Sequence, residues 1–171
     1  MSHTVTTKVQ LRNPAVLKGA VEALGGQWLG HGTHKLFSSS ETGQGFTLPR
    51  WRYPLIAAEN GQLKYDDYHG QWGNPADIQG LTARYAIEAA RTEATAQGWI
   101  SEVQADGNLL IYHPDGGTLQ VTAAGQIDAS GFTGSSCAAA TEPIAKALGQ
   151  KTDETIKPEY NQTQLNVKAS S

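Results

Sequence analysis

The chain holds one cysteine, Cys137, and one methionine, Met1, among its 171 residues. A lone cysteine excludes an internal disulfide framework, so stability must come from an apolar core, which a chain of this length can bury without staples. Charge is also sparse. Thirteen Lys and Arg face sixteen Asp and Glu, a formal charge of -3, and without a basic surplus a nucleic-acid partner is not expected. No apolar run approaches the ~18 residues that a membrane span needs. The opening Met1-Ser2-His3-Thr4 lacks the basic and apolar regions of a signal peptide. The expectation is a soluble, cytoplasmic protein with no membrane partner.

Catalytic signatures are missing as well. There is no Gly-x-Ser-x-Gly elbow, no phosphate loop ending in Gly-Lys-Ser/Thr, and no Cys-x-x-Cys or His-Glu-x-x-His pair. His31-Gly32-Thr33-His34 has ligand-like spacing but no supporting motif. We therefore expect no metal site and no cofactor.

What is present is a regular alternation of elements. Val5, Val9 and Leu11 alternate with polar residues as in a strand with one buried face. Asn13-Pro14 caps a helix whose apolar residues run from Val16 to Leu24 and which Gly25-Gly26 ends. Short apolar cores follow between Trp28 and Ile56, with Ser38 to Gly45 read as an exposed loop, and Asn60-Gly61 marks a hairpin. A second long helix begins at Asn74-Pro75 and stops at Gly98. Asp106-Gly107 and Ala124-Gly125 mark two more hairpins, and an Ala-rich helix ends at Leu148-Gly149. Pro143 should kink or split that helix, and the polar tail from Gln150 should end in mobile residues.

The fold expected is α+β: an antiparallel sheet with two long helices on one face, compatible with a ferredoxin-like core, plus a small hairpin and helix module. Pro114-Asp115-Gly116-Gly117 divides the chain into domains 1–114 and 115–164, with a tail 165–171.

Two stretches carry candidate sites. The first is Gly131 to Cys137, where a glycine-rich turn runs into a helix. Gly134, Ser135, Ser136 and Cys137 would place a thiol at the amide-rich helix start, which lowers thiol pKa values and attracts anions. The alternative reading of Cys137 is a small buried hydrophobe. The second holds Trp51, Tyr53, Tyr65, Tyr68 and Trp72, interleaved with Arg50, Arg52, Asp66, Asp67 and His69. Such rings either fill a core or form a partner-binding surface. Asp66 and Asp67, as neighbours on a strand, would point to opposite faces and not share a site.

Met1-Ser2-His3, the helix from Pro14 to Gly25, Arg84-Tyr85-Ala86 and Glu102-Val103-Gln104-Ala105-Asp106-Gly107 together resemble the hypothetical chloroplast reading frame thirty-five family, also cyanobacterial and bacterial. Gly131, Phe132, Gly134, Cys137, Ala147-Leu148-Gly149 and Glu159-Tyr160 resemble a second, shorter family with a Gly-Phe-x-Gly-x-x-Cys pattern. Both are domains of unknown function, so the resemblance implies domain limits and a patterned cysteine but no activity.

The functional expectation is a small non-enzymatic adaptor or assembly protein that binds other proteins. The alternatives are a thiol-dependent or anion-binding protein centred on Cys137, and a virus-encoded or virion-associated copy of the same module.

Overall fold

The structure, a computed structural model, describes residues 2–133 and 136–156. It is α+β, with strands and helices in the order β1 (Ser2–Val9), α1 (Pro14–Ala23), β2 (Gln27–Lys35), β3 (Ser40–Thr47), β4 (Leu55–Ala57), β5 (Leu63–Lys64), α2 (Pro75–Ala96), β6 (Ile100–Val103), β7 (Leu109–Tyr112), β8 (Thr118–Val121), β9 (Gln126–Ser130), α3 (Ser136–Leu148) and β10 (Gly149–Ile156). The strands form two antiparallel sheets, one of six strands and one of four, where the sequence suggested a single sheet.

The chain groups into two compact units that cut across the expected boundary at Asp115. One contains β1 and the chain from Ala89 onward; the other is Gln10–Glu88. The physical reason is long-range pairing. β1 lies between β9 and β10 and pairs antiparallel with both, so Ser2–Val9 complete the sheet of the C-terminal segment.

The six-stranded sheet runs β10-β1-β9-β8-β7-β6. Its β6–β7, β7–β8 and β8–β9 hairpins are antiparallel, and β9 and β10 flank β1 on either side, joined through α3. The β10-β1-β9-β8 part, with a helix inside the β1-to-β8 connection and another between β9 and β10, has the strand order of a ferredoxin-like core, with β6 and β7 added at one edge. Period-2 patterning sets the buried face. Val5, Leu109, Ile111, Leu119, Val121, Ile127 and Ala129 are all buried, and Ile144, Ala145 and Leu148 of α3 are buried with them. Each such Val, Leu or Ile side chain stabilises the fold by about 1.5–3 kcal/mol relative to exposure.

Two expectations about this unit change. Residues from Gln150, read as tail, form β10, because Gly149 to Ile156 hydrogen-bond along β1. Pro143 does not split its helix, and sits inside the single helix α3. The expected tail 165–171 lies outside the described residues.

The second unit holds the sheet β2-β3-β4-β5. The segment read as a loop, Ser38 to Gly45, belongs mostly to β3, which pairs with β2 and β4. Its glycines made it look irregular; they are there for close packing, since a Cβ at Gly45 would sit 2.4 Å from His34 Nε2. The Asn60-Gly61 hairpin forms as expected, joining β4 to β5. α1 packs on β2 and β3. It is capped by Asn13, whose side chain accepts from the Ala15 and Val16 amides. Asn13 in turn donates its own N–H to the hydroxyl of fully buried Tyr85 on α2, at 3.0 Å. No helix among the described residues is long and apolar enough to cross a membrane.

Candidate functional site

The aromatic stretch becomes a cluster because two loops of the Gln10–Glu88 unit are tied together. One loop joins β3 to β4 and carries Arg50-Trp51-Arg52-Tyr53; the other joins β5 to α2 and carries Tyr65 to Gly73. The Arg52 amide donates to the Trp72 carbonyl at 2.8 Å, and the Trp72 amide donates to the Asp67 carbonyl at 2.8 Å. Arg50 takes φ +68°, which turns the chain so that Trp51 points inward.

Trp51 is the anchor. It is buried, its indole N–H donates to Asp77 Oδ2 at 3.0 Å, and Tyr65 meets it edge-on at 5.8 Å. Gly73 covers it so closely that a Cβ would sit 2.2 Å from Trp51 Cδ2. For Trp51 the core reading is the right one.

The other rings gather around half-buried Trp72. Phe37 lies 4.8 Å from it, Tyr53 5.2 Å and Tyr68 4.7 Å, the last nearly parallel at 22°. Offset and edge-on pairs at these distances each contribute about 0.5–1.5 kcal/mol beyond area burial. The guanidinium of Arg52 lies over the cluster, with Cζ 5.6 Å from the Trp72 ring centroid and 5.9 Å from that of Tyr53.

Two rings remain open. Phe37 is 59% exposed and Tyr68 53% exposed. Neither is loose. The Phe37 amide donates to Asp66 Oδ2 at 2.8 Å, and Tyr68, His69 and Gly70 take φ +45°, +55° and +87° in succession. Left-handed backbone costs a non-glycine residue about 1–3 kcal/mol, and residues that bear it concentrate at functional sites. The stacking of Tyr68 on Trp72 offsets part of that cost.

Of the rings gathered here, Tyr53, Tyr68 and Trp72 lie in the aromatic stretch of the sequence, whereas Phe37 sits far upstream. In sequence it adjoins Leu36 as one of the short apolar cores between Trp28 and Ile56. The structure ends β2 at Lys35, buries Leu36 and leaves Phe37 outside.

The second candidate site gives a different picture. Gly134 and Ser135 lie outside the described residues. Ser136 opens α3, donating its hydroxyl to the Thr133 carbonyl at 2.7 Å. Cys137 follows and is 2% exposed. Burial, the largest influence, pushes its thiol pKa up, and the amides of Ala138 and Cys137 itself pull it down less strongly. The helix start therefore acts in the direction expected, but desolvation outweighs it. Phe132 of the same pattern is also buried, its ring against Gly117 and 5.2 Å from His113. The Gly-Phe-x-Gly-x-x-Cys residues that are described serve packing.

His31 and His34 do not converge. His31 pairs with Gln44 and His34 with Glu41, which places them on opposite faces of the sheet. The His34 ring lies over Gly45, and its Nε2 is 3.0 Å from the Gly30 carbonyl oxygen. Among the described residues no group of three or more His, Cys, Asp or Glu is placed to hold a metal ion.

One protein family matches the chain: "Protein of unknown function (DUF2997)", over residues 119–161. Within the described residues this match begins in β8 and takes in β9, α3 and β10, so it covers the Cys137 segment and leaves the aromatic cluster outside. No curated protein and no solved structure matches.

Proposed function

We propose that the protein is a small adaptor or assembly factor that binds a protein partner through the aromatic surface formed by Phe37, Tyr53, Tyr68 and Trp72. The observation that carries this reading is a pair of large rings left more than half exposed, Phe37 and Tyr68, on backbone held in place by specific hydrogen bonds and left-handed conformations. A soluble protein that keeps aromatic rings outward and rigid has prepaid the ordering that binding requires. Rings of this kind are enriched among residues that dominate interface energetics. The likeness of residues 1–114 to the chloroplast reading frame thirty-five family is part of the same reading and adds no activity to it.

Full burial of one such ring contributes about 1.5–3 kcal/mol. Phe37→Ala or Tyr68→Ala should therefore weaken partner binding about 10- to 100-fold while the circular dichroism spectrum is unchanged. The test is affinity capture followed by mass spectrometry and titration of the identified protein. Retention of that protein with full affinity by the double variant Phe37→Ala/Tyr68→Ala would defeat the reading.

A further inference from the structure

We propose that the partner segment is acidic and docks a carboxylate on Arg52 while an apolar side chain covers Phe37 and Tyr68. This rests on the reading of the aromatic surface as a protein-binding site and specifies its occupant.

The argument starts from the guanidinium. Arg52 is exposed, and its side chain lies on the Tyr53 and Trp72 rings. Its amide, bonded to the Trp72 carbonyl, fixes where the side chain starts. An exposed guanidinium in this position can offer its planar N–H fork to a carboxylate, donating two parallel hydrogen bonds. The approach to the two rings also favours this placement of the side chain over others open to a surface arginine.

Among the described residues that fork has no ion-pair partner: no carboxylate is within ion-pair distance of Arg52, Asp67 of the neighbouring loop included. Two nearby carboxylates are engaged elsewhere, Asp66 on the Phe37 amide and Asp77 on the Trp51 indole. The charge at the centre of the cluster is thus positive and uncompensated, beside apolar ring faces. A segment with Asp or Glu next to a bulky apolar residue complements both features. A proline-rich segment would need open slots between rings, whereas the Phe37, Tyr53 and Trp72 centroids are packed 4.8–6.1 Å apart.

The test uses a phage-displayed heptapeptide library panned on the full chain, with enriched peptides synthesised and titrated by calorimetry. The expected result is enrichment of peptides with Asp or Glu beside Phe, Trp or Leu. Their affinity should fall at least tenfold for Arg52→Ala and severalfold for Arg52→Lys. Arg52→Glu should bind them no better than Arg52→Ala but should recover affinity for the same peptides with Lys replacing the acid, a rescue that a misfolded variant cannot give. Enriched peptides that lose binding on Phe37→Ala yet ignore Arg52→Glu would overturn the acidic assignment and leave the aromatic site standing. So would a proline-rich or basic consensus with that pattern. Peptides indifferent to both variants, or no enrichment over bare support, would overturn both readings.

Discussion

Cys137 and Tyr85 show how one atom's surroundings decide what a residue type does. The thiol sits where a helix start should activate it, yet at 2% exposure desolvation dominates and raises its pKa. We expect alkylation of Cys137 in the native protein to be about 100-fold slower or more than in denaturant, with reaction limited by opening of the fold. A native rate equal to the denatured one at pH 7–8 would show that the thiol is accessible after all. Tyr85 is a buried phenol whose oxygen accepts the Asn13 N–H at the start of α1. Tyr85→Phe removes that acceptor from the part-buried Asn13 N–H. The expected cost is about 1–3 kcal/mol in urea unfolding, with little change in the slope of the transition.

At the scale of elements, the loops around Trp51 depend on fit. Gly73→Ala would drive a methyl into the Trp51 ring, whose indole N–H is tied to Asp77. We expect a loss of about 1–3 kcal/mol in stability and, since the same loop presents Tyr68, a loss of peptide binding larger than that from His69→Ala. Thermal melts and titration of the two variants separate the effects. The β1–β10 pair gives a pH prediction. Glu154 of β10 lies 3.0 Å from the Lys151 ammonium and 2.6 Å from His3 Nε2, and its pKa is lowered by Lys151 first and His3 second, against an opposing burial effect. A depressed carboxyl pKa contributes stability above the ordinary value near 4.5 and loses it as pH falls through the folded value. Because Glu154 is 39% exposed, solvent screening keeps this below about 1 kcal/mol. Glu154→Gln should therefore be slightly less stable than wild type at pH 6–7, and the two should converge as pH falls below the folded value of the Glu154 carboxyl.

At the scale of the molecule, the Gln10–Glu88 unit interrupts the other between β1 and its sheet partners. Deleting residues 2–9 should remove an interior strand, leave the edges of β9 and β10 unpaired, and produce dye binding by exposed apolar surface and concentration-dependent association, where wild type shows neither. A deletion variant that still unfolds cooperatively at the wild-type midpoint would contradict the pairing. Local signals were legible without the structure, each for a local reason. Asn13-Pro14 and Pro75 started helices because proline fits a first helical turn, and Asn60-Gly61, Asp106-Gly107 and Ala124-Gly125 turned hairpins because glycine accepts positive φ. Composition likewise excluded disulfides. Three things were decided only by tertiary structure: the joining of β1 to β9 and β10, the conversion of a polar stretch into β10, and the gathering of Phe37 with rings from two other loops. Each rests on contacts between residues far apart in the chain, which no local period encodes. The fate of Cys137 belongs with them, because a helix start is written in sequence but the burial that overrides it is not.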